Sequence, residues 1–156
     1  TLREAGKCPG ALIWIAQTGA RRRFGHQGAR VFRQTSQDLA ERMENALRRL
    51  PPGDVILVGG DIPGLRRIHL ERAFDCLRCS PIVFGPAVDG GFWLVGLRRT
   101  RIQQRPLFGR DVRWSSEHAL RDVLAGLPIQ AALADTLHDV DDGAAFHAHR
   151  RRGTDA

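Results

Sequence analysis

The run Asp54-Val-Ile-Leu-Val-Gly59 is apolar on both faces, and no other feature limits the fold so tightly. A strand with one wet face alternates apolar and polar residues. A continuous, β-branched run needs cover on both sides, so this one reads as a buried parallel strand. The flanking sequence supplies the cover. Leu39, Met43, Leu47 and Leu50 recur at helical spacing, with Thr35-Ser36 as candidate caps and Pro51-Pro52 as a stop. A second helix is predicted from about Arg67 to Cys79. A third carries Leu120, Val123 and Leu124 behind Ser115 or Ser116 as cap, and a short fourth lies around Ala144–His149. Ala11–Ala16, Pro81–Phe84 and Phe92–Leu97 read as strands, Val31-Phe32 as a short edge strand, and Ile129–Leu133 as a weak one. Strand and helix thus alternate, which predicts an α/β fold with a mainly parallel sheet. No internal repeat or interdomain linker interrupts the chain. One domain is expected over residues 1–149, followed by an arginine-rich polar tail at 150–156.

Charge is the second unusual trait. The net charge is +7, and Lys7 is the one lysine among 24 basic residues. Such a surplus invites a nucleic-acid reading. Yet the arginines fall in short runs spread over helices, loops and tail, and the chain has no tyrosine. A stacking platform for single strands is hard to build from this. An arginine-rich surface is the simpler reading, and nucleic acid is not the expected partner. No stretch of 18 apolar residues is present, so no membrane span is expected. Three cysteines do not form a disulfide framework, and Cys76-x-x-Cys79 lies inside a helical pattern with no second pair to complete a zinc site. Buried or half-buried thiols in a reducing cytoplasm are expected.

Chemistry is expected at the carboxyl ends of the strands, where open α/β sheets gather their ligands. Asp61 follows the most hydrophobic strand in a turn shaped by Gly60 and Pro63-Gly64. Asp89 precedes Gly90-Gly91, whose missing side chains leave room for a close backbone approach to a ligand. Asp139 and Asp141 bracket Val140, so an extended backbone turns both carboxylates to one side. Carboxylates meeting at one mouth suit Mg²⁺ or Mn²⁺, hard ions that take oxygen ligands while gripping phosphate. The residues alone leave open a plainer reading, in which each aspartate caps a helix or fixes a turn. The six histidines are scattered, and only His138, beside Asp139, is a site candidate. No nucleophile elbow, Walker loop or dinucleotide fingerprint is present.

Five elements, in order and spacing, carry a resemblance. They are Gln37–Met43, Val58–Leu65, Phe84–Leu97, Trp114-Ser115-Ser116 and Leu137-His138-Asp139-Val140-Asp141. Together they resemble the DUF2064 family of glycosyltransferase-A-like proteins, the "selenium-domain-associated transferase 1" type. The resemblance implies a three-layer α/β/α sandwich with a mostly parallel sheet, similar to nucleotide-diphospho-sugar transferases. It implies a metal-dependent transferase that uses a nucleotide or nucleotide sugar and a small-molecule acceptor. Asp61, Asp139 and Asp141 would hold the metal. Asp61, Pro63, Asp89, Gly90, Gly91, Trp114 and Ser115 would line the nucleotide and acceptor pocket.

Two departures stand out. The family opens with a central strand and a loop of the form Pro-x-x-Gly-x-x-Lys-Thr-Arg, which nothing here matches. The chain starts at Thr1-Leu2-Arg3, which corresponds to the end of the helix after that loop. Either the sequence is a fragment of a longer protein or a shortened form has compensated; as it stands, a fold truncated at its N-terminus is expected, with a gap at the sheet centre and half of the nucleotide site missing. Its exposed strand could pair with another copy in a homodimer. Arg42 or Arg98 would then stand in for the missing loop at the phosphates. The second departure is Asp142-Gly143 where the family has Thr-Pro. Two rival readings follow: a catalytically inactive structural or interaction protein that keeps the fold, and a basic nucleic-acid-binding module.

Overall fold

The structure is a computed structural model that describes residues 1–18, 28–34, 38–60, 62–99 and 106–138. The elements are α1 (Leu2–Ala5), β1 (Trp14–Gln17), β2 (Arg30–Arg33), α2 (Leu39–Arg49), β3 (Gly53–Val58), α3 (Arg67–Cys79), β4 (Ile82–Pro86), β5 (Phe92–Arg99), α4 (Ala119–Gly126) and β6 (Ala132–Leu133). Four strands form one sheet in the order β3-β5-β4-β6, and β1 and β2 form a separate parallel pair. β5 is antiparallel to both β3 and β4, while β6 runs parallel to β4. Three of the four strands therefore point the same way, and β5 returns between them.

Alternation along the strands sorts the core into two layers. Val55, Leu57, Ile82, Phe84, Val95 and Leu97 turn to one face and pack with Leu47 of α2 and Val123 of α4. Ile56, Val58, Val83 and Leu94 turn to the other face and pack with Leu70, Ala73 and Leu77 of α3 and Ala5 of α1. Helices thus cover both faces, and the architecture is a mixed α/β/α sandwich. This two-sided cover is what the apolar run at β3 predicts.

The setting of β3 differs from the expectation in two ways. Its neighbour is the antiparallel β5, from Gly53 opposite Arg99 to Val58 opposite Leu94. Val55 to Val58 are half-buried rather than buried. The reason is edge position: among the described residues no strand pairs with the other side of β3. Both faces are covered, while among the described residues the outer edge of β3 is unpaired.

Local corrections have local causes. The N-cap of α2 is Asp38, whose side chain accepts from the Glu41 N–H at 2.9 Å. Thr35 and Ser36 lie outside the described residues. α4 starts after His118, and Ser116 acts just before it, donating to the Arg113 carbonyl and accepting from the His118 N–H. The strand predicted at Ile129–Leu133 shrinks to Ala132–Leu133, because only Val83 and Phe84 of β4 pair with it. The helix predicted around Ala144–His149 and the tail lie outside the described residues. Cys8 and Cys76 are half-buried and Cys79 is exposed. Burial also pushes the Cys8 thiol up. Among the described residues no helix is long and apolar enough to cross a membrane.

Candidate functional site

The strand directions bring four segments to one rim of the sheet. They are Gly59-Gly60 and Ile62–Leu65 after β3, Ala87–Gly91 between β4 and β5, Trp114–His118 before α4, and Ala134–His138 after β6. Backbone bonds lace them together. The Gly59 N–H donates to the Trp93 carbonyl at 2.9 Å. Val88 donates to Leu137 at 3.1 Å, Leu137 to Pro86 at 3.0 Å, and Leu120 to the Gly90 carbonyl at 3.1 Å.

Trp93 organises this rim. Gly85 pairs with Leu94 and Pro86 with Phe92, so Trp93 is the extra residue of a β-bulge. The bulge breaks the alternation and turns Trp93 to the α3 face along with Leu94. Its indole lies against Gly85, where an added Cβ would come within 2.5 Å of the ring. Its Nε1 donates to the Asp135 carbonyl at 3.0 Å, and His69 meets the ring edge-on at 6.5 Å. Asp135 in turn accepts two bonds from Arg72 of α3. One buried side chain thereby links the β4 end, α3 and the segment that leads to His138. Sequence reading passed over this role, although a tryptophan two residues after Gly91, at a strand start, was its available signal.

The Asp89-Gly90-Gly91 turn is built differently from its expectation. Gly90 has φ +89°, and a Cβ there would lie within 2.6 Å of three backbone atoms of Glu117. The space expected for a ligand is therefore filled by the turn before α4. Asp89 is exposed, and its Oδ1 accepts from the Gly91 N–H at 2.9 Å, closing an Asx turn.

Trp114 and Ser115 do reach the rim. Half-buried Trp114 packs against Phe108 at 5.5 Å and Phe92 at 6.2 Å, above the core that holds Phe84. Beneath the same loop the buried Glu44 of α2 accepts the N–H groups of Leu107 and Phe108. Ser115 is exposed and, among the described residues, is the one non-glycine with positive φ, at 56°. A left-handed serine costs energy that neighbouring contacts must offset. Those contacts are in place. Arg113, two residues earlier, grips Asp122 of α4 through Nε at 2.8 Å and Nη2 at 2.7 Å.

The Arg113 guanidinium holds the Asp122 carboxyl far below the ordinary carboxylate range, with its backbone N–H adding to the effect. A depressed carboxyl contributes stability that is present above its unfolded value and lost as pH falls through its folded value. The unfolding midpoints of the wild type and Asp122→Asn should therefore differ at neutral pH. The difference should persist through pH 4 and close only in strong acid. Denaturant titrations at several pH values test this, and a gap already closed at pH 4 would mean that the bidentate pair does not form in solution.

The remaining expected residues divide cleanly. Pro63 is exposed in the β3–α3 loop. Asp61, Asp139 and Asp141 lie outside the described residues. Among the described residues no three carboxylate, imidazole or thiol groups converge on a metal position. Asp89, the described carboxylate of the expected site, has one oxygen committed to its own turn, so the described residues alone do not fit a divalent cation. Arg98 is six residues along β5 from the rim, roughly 20 Å at strand rise, too far to hold phosphate there. Arg42 lies in α2, and among the described residues its buried Nε has no hydrogen-bond partner.

Comparison with known proteins extends this picture. A solved crystal structure from Desulfovibrio desulfuricans G20, described as a "putative nucleotide-diphospho-sugar transferase", superposes with a TM-score of 0.82 at 21% identity. The match covers 99% of this chain and 71% of that one. At this identity the likeness establishes the fold, which is that of the glycosyltransferase-A type. No curated protein matches the chain. The family described as "Uncharacterized protein conserved in bacteria (DUF2064)" matches over residues 1–116, most of the length, and the chain belongs to that family.

Proposed function

We propose that the protein binds a nucleotide-activated substrate at the rim of its sheet and transfers a glycosyl or nucleotidyl group to a small molecule. The observation that carries this reading is the convergence of three loops at the carboxyl ends of β3, β4 and β6 with the segment before α4, on a scaffold shared with a protein described as a "putative nucleotide-diphospho-sugar transferase". Pro63, Asp89, Trp114 and Ser115 stand on those segments; in the sequence Asp61 follows Gly60 and Asp139 follows His138, the neighbouring described residues. Mg²⁺ or Mn²⁺ belongs to this proposal through Asp61, Asp139 and Asp141. When bound, such an ion would neutralise diphosphate charge. The chain's own contribution is positional: the Trp93 and Arg113–Asp122 contacts tie these segments to the scaffold, and Ser115 stands exposed among them.

Calorimetry with nucleoside triphosphates and nucleotide sugars, with and without Mg²⁺ or Mn²⁺, tests the reading. Metal-dependent binding is expected, and it should be lost in Asp61→Ala. A specific observation favours the second reading, a protein that keeps the fold without catalysis. Gly90 and Asp89 serve the turn itself, since one makes room for Glu117 and the other bonds Gly91. Absence of binding by either ligand class in the folded protein would select that reading.

A further inference from the structure

We propose that the cleft between α1 and the first turn of α3 is a binding site for a diphosphate-class anion, held by Arg66 and Lys7, with Glu4 as an internal competitor. The cleft has a volume of about 650 Å³ and is lined by Glu4, Lys7 and the stretch from Pro63 to Ile68. That is the size of a small-molecule site. Three cations line it against one carboxylate.

The first N–H of α3 is not the attraction, because the Arg67 N–H already donates to Glu4 Oε2 at 2.9 Å. Glu4 also accepts a hydrogen bond from Lys7. These two donors hold its carboxyl below the ordinary range, Lys7 more strongly. An anion is thus already favoured in this cleft, and the protein supplies one of its own. Arg67 is shared with Glu71 of the next turn at 3.3 Å. Arg66 differs: among the described residues no carboxylate lies within ion-pair distance of its guanidinium. An incoming anion would meet Arg66 directly and take Lys7 from Glu4. The Thr1 hydroxyl donates to the Gly60 carbonyl at 2.9 Å, so α1 is tied to the same β3–α3 loop that floors the cleft.

This site needs neither a divalent metal nor Asp61, so its test is separate from that of the transferase reading. Inorganic diphosphate is titrated into the full chain without divalent metal at low salt, followed by calorimetry. Saturable binding that weakens with added salt is expected. Arg66→Ala should weaken it about five- to tenfold, the range for one charge-assisted contact in partly screened surroundings. Glu4→Gln should strengthen it by a similar factor. Glutamine keeps a carbonyl for the Arg67 N–H, so the α3 turn is retained, but it releases Lys7 and removes the competing charge. Arg78→Ala, an exposed cation at the far end of α3, should leave the affinity unchanged. A nucleoside diphosphate that binds with the same response to Arg66→Ala and Glu4→Gln would show that the cleft takes substituted diphosphates. Inorganic diphosphate alone binding so would restrict it to the small anion. The proposal falls if the wild type does not bind, if Arg66→Ala weakens binding no more than Arg78→Ala, or if Glu4→Gln does not tighten it.

Discussion

Gly90→Ala should destabilise the protein by about 3 kcal/mol, through overpacking added to an unfavourable positive φ. The added methyl would lie within 2.6 Å of the Glu117 Cα, C and O. A long side chain could swing away, but backbone cannot. The turn before α4 would have to move, and with it the Gly90 carbonyl that accepts the Leu120 N–H. Ser115 lies in that displaced segment, so ligand binding at the rim should fall along with stability. Gly91→Ala is the control. Its Cβ would meet the Asp89 Oδ1 at 3.2 Å, so an exposed side chain has to shift slightly and at most its turn bond to the Gly91 N–H is weakened. A loss below about 1 kcal/mol is expected there, since surface changes away from special backbone positions cost little. Urea unfolding of both variants decides the matter. Equal, small losses would mean that Gly90 does not abut the α4 turn in solution.

Trp93→Ala should cost about 3–5 kcal/mol, the usual range for removing a buried large aromatic side chain. Trp93 is 1% exposed and is the largest fully buried side chain. Trp93→Phe separates packing from polarity. Phenylalanine keeps most of the apolar contact but loses the donor to the Asp135 carbonyl, which should cost about 1–2 kcal/mol. Hydrogen exchange adds a positional readout. In Trp93→Phe the amides of Ala134 to Leu137 should exchange faster, while those of α2, on the other face of the sheet, stay protected. Uniform loss of protection would show that the indole stabilises the core without anchoring this segment.

The limits of sequence reading follow from the range of each interaction. The helix over Arg67–Cys79 was legible to the residue because its apolar spacing and its Pro and Ser boundaries are local. Strand existence was legible for the same reason. The place of β5 was not, since a strand's neighbours depend on where the chain returns. The role of Asp38 as cap was hidden behind Thr35-Ser36, which offer the same chemistry a few residues earlier. In the candidate site, the loops carrying Pro63, Asp89, Trp114 and Ser115 were found from strand ends and family resemblance. Gly90 was singled out as leaving room for a ligand, and in the structure the Glu117 backbone occupies the place a Cβ there would take. A glycine shows that something approaches closely without showing what it is.

The apolar run at Asp54–Gly59 thus determined that this chain folds with helices on both faces of a sheet, because β-branched residues on both sides of a strand have no other way out of water. Only the tertiary structure decided that β5 returns antiparallel beside β3. It also decided that the β3 edge is left half-buried, that Trp93 bulges to tie the rim together, and that Glu4 sits among Lys7, Arg66 and Arg67. Those outcomes depend on contacts between residues tens of positions apart. Local pattern carries hydrophobic period and turn chemistry, but it carries no information on which distant segment fills a given space.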